Sequence, residues 1–213
     1  MAKTKFGEPI GVAPGQVVAY SSHYRSADVK TYWHPSSWES YHEGIYTGYK
    51  YQCVEFARRW LVQVAGITFD DVHMAYHIFE LPHFLRVSSF SPTKKMVLLP
   101  EPAVIKVHKH RNGAKVRPVV GSVLLWEAGG YFKHTGHVAI VVDVTDSFVR
   151  VAEQNVTDSA WGDGRNYARE LPVRCGGDGE YHIAERHASS NVLGWVTVEE
   201  FVENCPVPHS STL

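Results

Sequence analysis

The sequence predicts an α+β protein, with helices first and then consecutive short strands forming an antiparallel sheet. Two observations carry this expectation. Apolar residues recur at helical spacing between Val54 and Phe79, and β-branched runs bounded by turn residues fill the chain from Val119 onward. No crossover helix alternates with those strands, which argues against a parallel sheet.

Residues 1 to about 50 are rich in Gly, Pro, Ser, Tyr and His, and only 17–20 reads as a short strand. The aromatics Trp33, Trp38, Tyr41 and Tyr46 predict an irregular wrap packed against the domain. The first helix starts at Cys53. Val54, Ala57, Trp60, Leu61 and Val64 form its apolar stripe, and Gly66 is its stop. Asp70 or Asp71 is expected to cap a second helix bearing Val72, Ala75, Ile78 and Phe79, ended by Pro82.

From 88 to 118 the pattern breaks at Pro92, Pro100, Pro102 and Pro118, around a basic interval from Lys106 to Lys115. His108, Lys109 and His110 within it match no metal-ligand spacing and read as a solvated loop. Strands are expected at 119–126, 136–144 and 148–155, then near 168–173, 180–183 and 192–198. Thr197 and Glu200 have capping-box spacing for a last short helix before Cys205. No repeat or boundary is evident. The chain reads as one domain over 1–213, with its core at about 7–197 and a helix and tail at 198–213.

Composition narrows the function classes. Apolar residues at 44% and charged residues at 20% suit a soluble globular protein. The net charge of −1, without a cluster of Lys and Arg, points away from nucleic acid. No apolar run is long enough to span a bilayer, and the start lacks the apolar core of a signal peptide. Three widely spaced cysteines form no disulfide framework, so a reduced, cytoplasmic setting is expected.

Cys53 sits where unpaired helix N–H groups favour a thiolate. Most free cysteines are simply small buried hydrophobes, so the position alone does not decide its role. A histidine and an acid downstream add weight. His137 lies eight residues before Thr145 and Glu153 eight after it. A hairpin with an odd-length loop centred on Thr145 would place them directly opposite, with Cβ atoms roughly 4.5–5.5 Å apart. An even-length loop would offset them. An acid there would fix the imidazole tautomer and favour its charged form, although a structural His–Glu pair at a sheet edge has the same pattern. Cys175, before Gly176 and Gly177, and Cys205 lack a helix start and read as incidental thiols.

Three stretches then carry a family resemblance: Gln52-Cys53-Val54-Glu55-Phe56-Ala57-Arg58-Arg59, Thr135-Gly136-His137-Val138-Ala139-Ile140 and Val151-Ala152-Glu153-Gln154-Asn155. Together the chain resembles CHAP domains, the cysteine, histidine-dependent amidohydrolases/peptidases of papain-like fold. More closely, it resembles the N-terminal amidase domains of glutathionylspermidine and trypanothione synthetase/amidases, over about residues 7–197.

The resemblance implies N-terminal helices packed on an antiparallel sheet or half-barrel. It implies Cys53 as nucleophile, His137 as general base and acid, and Glu153 as its orienting group. Gln52 and the Cys53 N–H would form the oxyanion hole. Arg58 would contact the glutathionyl part of a substrate, with Ser21 and Asn155 close by, while Arg59 is expected to be solvated. The implied substrate is a small glutathione–polyamine conjugate, with no cofactor or metal required. The ligase domain of those bifunctional enzymes is not expected within these residues, which show no glycine-rich phosphate loop. Two other readings fit the residues: a CHAP peptidoglycan amidase or endopeptidase, and a non-catalytic thiol-binding module.

Overall fold

The computed structural model describes residues 3–88, 97–98 and 103–203. Pro92, Pro100, Pro102, Cys205 and the tail 206–213 lie outside the described residues. In chain order the strands are β1 Pro9–Ala13, β2 Val17–Tyr20, β3 Glu39–His42, β4 Ile45–Tyr49, β5 Ile67–Thr68, β6 His83–Ser88 and β7 Val97–Leu98. They continue as β8 Val104–Arg111, β9 Val123–Trp126, β10 His137–Val144, β11 Phe148–Ala152, β12 Arg169–Cys175, β13 Tyr181–Ile183 and β14 Val192–Val198. Helix α1 spans Cys53–Ala65 and α2 spans Glu199–Glu203.

Ten of these strands make one sheet in the order β13-β12-β11-β10-β9-β14-β8-β6-β5, with β7 on β6. Every pairing in it is antiparallel. The sheet curls until β13 meets the segment after β8. Gly113 N–H donates to Tyr181 O at 3.0 Å and Tyr181 N–H to Ala114 O at 2.9 Å. The result is a half-barrel with a core on each face.

On the outer face, Val123 and Leu125, Val138 and Ile140, and Val196 and Val198 cluster with Phe56, Ala57, Trp60 and Leu61 of α1. The alternate residues Leu124, Trp126, Ala139, Val141 and Trp195 join Leu171, Tyr181 and Ile183 inside the curl. Burial on both faces explains why the central strands read as continuous apolar runs.

Helix α1 runs as its periodicity predicts and ends at Gly66, whose φ of 64° is the left-handed conformation that glycine adopts readily. Its buried surface is wider than the apolar stripe. Val64 is exposed, whereas Glu55, Arg58 and Arg59 are buried. Glu55 accepts from Arg59 Nε at 2.6 Å, Ser40 Oγ at 2.9 Å and Gln154 Nε2 at 2.6 Å. Arg59 Nη1 also donates to Val18 O at 2.7 Å, so the expected solvated arginine is instead a buried tie between α1 and β2. Gln154 clamps the helix start as well, donating to Gln52 O at 3.0 Å.

Three further expectations are corrected. The second helix is a 3-10 segment, Ala75–Glu80, with Met74 as its N-cap. Asp70 and Asp71 do not cap it; their oxygens accept from Arg58. Residues 104–111, including His108, Lys109 and His110, form strand β8 rather than a loop, paired with β14 and β6. Their basic side chains alternate with buried Ile105 on a largely solvated strand, which masks the strand signal. The aromatic N-terminal region contains the hairpins β1–β2 and β3–β4. The short helix expected near Glu199 is present as α2.

Removing the Glu55 carboxylate (Glu55→Ala) leaves the Arg59 guanidinium buried without its charge partner. The expected loss is about 3–5 kcal/mol in urea denaturation. Glu180→Ala, which breaks the exposed His182 pair, is expected to change stability by no more than about 0.5 kcal/mol.

Candidate active site

Cys53 is the first residue of α1, and the N-cap before it, Gln52, makes no side-chain cap. The first-turn N–H groups are therefore not capped by that side chain. Strand β4 passes close beneath: a Cβ on Gly48 would lie 3.2 Å from Glu55 Cα, a tight approach at a φ of 131°, so glycine is favoured there. The Cys53 thiol is largely buried, and its polar surroundings are the His137 ring and the backbone of Val54 and Val138.

His137 opens β10 directly after Gly136, which has a φ of 61° and no room for a Cβ, since one would lie 2.5 Å from Trp126 O. The imidazole stacks on Phe132 at 4.7 Å, tilted 7°, and leans on Trp126 at 5.2 Å. These rings fix its plane. Its Nε2 lies 2.7 Å from Glu153 Oε2, which leaves Nδ1 for the thiol.

The His137–Glu153 pairing is present, but the register that brings it about differs from the one expected. The Thr145 N–H bonds Phe148 O, closing a two-residue loop, and the register shifts between Val141 and Asp143. Ile140 pairs with Ala152, so extending that register sets Glu153 opposite Ala139. His137 and Glu153 are thus diagonal neighbours on one face, a separation that long side chains span.

The charges follow from this packing. Burial pushes the Cys53 thiol up, but the His137 ring and the backbone N–H groups of Val54 and Val138 bring it below the ordinary range. Burial also opposes charge on His137. The Cys53 thiolate and the Glu153 carboxylate overcome it and raise the imidazolium to about 9. For Glu153, burial is outweighed by the charges and hydrogen bonds of Arg169 and His137, which hold it at about 2. Both shifts favour a thiolate–imidazolium pair, backed by a carboxylate, over the neutral thiol and imidazole.

Arg169 and Glu185 were not among the expected residues. Arg169 bonds both Glu153 oxygens through Nε and Nη2, and its Nη1 donates to Glu185 Oε1 at 2.9 Å. His137, Glu153, Arg169 and Glu185 are spaced sixteen residues apart at the ends of successive strands. That even spacing of alternating charge is the signal in the sequence that locates them.

Two clefts of about 530 Å³ each meet at Cys53. One is lined by Tyr131, Lys133, His134 and His137, the other by Tyr46, Tyr49, Gln52, Asp71 and His73. Asn155 borders both, at a φ of 64°, and accepts from Ser22 Oγ. Gln52 is exposed beside the thiol.

Ser21 and Arg58 sit differently from expectation. Ser21 is fully buried, its hydroxyl donating to Thr4 O at 2.8 Å, so it ties down the N-terminal segment away from the clefts. The Arg58 fork is turned inward onto Phe69 O, Thr47 O, Asp70 O and Asp71 Oδ1. It holds loop 69–71 against α1 and, with Tyr46 and Asp71, lines a separate cleft that does not include Cys53. Cys175 ends β12 and is exposed.

The CHAP domain family matches residues 44–155, more than half of the chain. The chain belongs to the CHAP family. The matched segment of this CHAP domain opens at Gly44 and closes at Asn155, enclosing Cys53, His137 and Glu153. Its α+β architecture is the papain-like one of that family.

The CHAP chain is 38% identical over 198 residues, 93% of its length, to the bifunctional glutathionylspermidine synthetase/amidase of Escherichia coli K12, of which it covers 30%. It is 32% identical over 210 residues to the trypanothione synthetase of Crithidia fasciculata, covering 96% of this chain and 28% of that one. The chain therefore spans less than a third of the length of these curated relatives.

A thiolate held by His137 makes Cys53 more reactive at neutral pH than its burial alone allows. In limiting iodoacetamide near pH 7, Cys53 is expected to alkylate at least about tenfold faster than exposed Cys175, and His137→Ala to remove that lead. Peptide mass spectrometry reads both rates. Equal labelling of the two cysteines would contradict the ion pair.

Proposed function

We propose that this CHAP domain is a cysteine amidase that hydrolyses the amide joining glutathione to a polyamine, with glutathionylspermidine as reference substrate. The observation that carries the reading is the buried relay from Cys53 through His137 to Glu153, at 2.7 Å in its second step, placed where two clefts meet. An amide with one arm on each side of its carbonyl suits such a junction. The names of the relatives from Escherichia coli and Crithidia fasciculata support the choice of conjugate. A cytoplasmic location belongs to the same proposal. No described helix is long and apolar enough to cross a membrane.

In this mechanism the Cys53 thiolate attacks the glycyl carbonyl carbon, and the C=O electron pair moves onto oxygen. The Cys53 N–H and the Gln52 amide receive that oxyanion, a role in which preorganised donors are effective. The His137 imidazolium gives its proton to the departing amine as the C–N bond breaks, leaving a glutathionyl thioester on Cys53. Neutral His137 then takes a proton from water, the resulting hydroxide attacks the thioester, and glutathione leaves with regeneration of the thiolate. Glu153 keeps the ring oriented in both steps. Asn155 and Asp71 are the side chains proposed to meet the substrate in the clefts, with Arg58 acting indirectly by holding Asp71.

Incubation with glutathionylspermidine should release spermidine from the wild type and none from Cys53→Ala. Lack of release by the wild type, or equal release by the variant, contradicts the reading. Turbidity loss of a cell-wall suspension without conjugate hydrolysis would transfer the activity to peptidoglycan.

The pH profile of kcat/KM is expected to be bell-shaped. Activity falls as acid protonates the Cys53 thiolate, on a limb below the ordinary thiol value of 9.0. It falls again as pH rises through about 9, where His137 loses the proton needed by the leaving amine. Glu153→Gln is expected to move that alkaline limb to lower pH and to reduce kcat by about 10²-fold.

A further inference from the structure

The side chains beyond Glu153 form a ladder along one face of the curl. His137 stands at the start of β10, Glu153 just past β11, Arg169 at the start of β12 and Glu185 just past β13. Arg169 pairs with Val151, which makes it the diagonal neighbour of Glu153 on the next strand. Val173 pairs with Ile183, and the same register makes Glu185 diagonal to Arg169. Charge alternates along the ladder, and the side chains of Glu153 and Glu185 are 2% and 1% exposed.

The contacts have a direction. One edge of the Arg169 fork, Nε and Nη2, grips both Glu153 oxygens, while Nη1 reaches both Glu185 oxygens at 2.9 and 3.1 Å. Glu185 is itself pinned by the Arg186 and His187 N–H groups at 2.7 and 2.8 Å. The guanidinium lies 5.3 Å from the ring of Trp126, the same ring that packs on His137. A buried ion network of this kind is weak evidence for stability, since well-packed apolar residues of similar volume often serve as well. It is better suited to holding one carboxylate in one pose.

We propose that Arg169 and Glu185 are positioning residues for His137: Arg169 fixes Glu153 so that Oε2 faces the imidazole, and Glu185 neutralises the arginine charge that would otherwise repel the imidazolium. The proposal rests on His137 as the proton carrier of the activity proposed above. The groups facing His137 are Cys53 from α1, Glu153 after β11 and, behind it, Arg169 from β12. Lys133 and His134 of the preceding loop are exposed along the adjoining cleft.

The two positioning residues then have opposite electrostatic signs at the ring. NMR titration of the His137 imidazole in the full chain reads this without any substrate. Glu185→Gln leaves the Arg169 charge unopposed and should lower the His137 midpoint from about 9 by roughly 0.5–1 unit, whereas Arg169→Gln should raise it by a similar amount. Arg169→Lys, which keeps the charge but loses the fork, should hold the midpoint within about 0.3 unit and lower kcat roughly tenfold at unchanged KM. That conservative variant also supplies the answer if a neutral one fails to fold.

Midpoints that stay at the wild-type value, or shift in the same direction in both neutral variants, would reduce the pair to a structural salt bridge. Shifts of opposite sign in a protein that hydrolyses no glutathionylspermidine would leave the positioning role intact and remove only the proposed substrate.

Discussion

A protonated imidazole that is 2% exposed is the constraint on which the site depends. Burying such a charge costs several kcal/mol unless fixed charges and hydrogen bonds replace the lost water. Here the compensation comes from two sides: the Cys53 thiolate at the start of α1 and the Glu153 carboxylate past β11. Each partner is buried as well and needs its own support, which helix N–H groups give to the thiolate and Arg169 gives to the carboxylate.

The fold meets this constraint with strand register. In the curled antiparallel sheet, residues two apart on neighbouring strands share a face, so four strand ends bring four alternating charges into one line. Trp126 and Phe132 close that line from water and fix the plane of the imidazole. Helix α1 is held to the sheet by an apolar face and by the Glu55–Arg59–Gln154 network. Gln154 follows Glu153 directly, so the peptide that carries this carboxylate also clamps the turn that carries the thiol.

How much of this could be read from the sequence depended on whether the governing contacts were local. The helix starting at Cys53 and its glycine stop follow from a period of 3.6 and one left-handed residue, both local properties. The apolar runs at 123–126, 137–144 and 192–198 identified the central strands because these are buried on both faces. Strand β8 was obscured because its basic side chains face solvent and prolines flank it. The segment Ala75–Glu80 carries helical periodicity but is six residues long and tightens into a 3-10 turn.

At the site, the His137–Glu153 pair was legible although its register was not, since a two-residue loop in place of an odd-length one and a shift near Val142 exchange direct for diagonal opposition. The inward turn of Arg58 and the burial of Ser21 depend on backbone carbonyls from distant segments, Phe69, Thr47 and Thr4, that no local pattern announces. The thiolate–imidazolium pair can be read across pH from the thiolate ultraviolet absorbance of the wild type, corrected with Cys53→Ser. With the pair in place, the absorbance persists well below pH 9 and is lost from that range in His137→Ala. Absorbance rising only near 9.0, the ordinary value for a cysteine thiol, would contradict it.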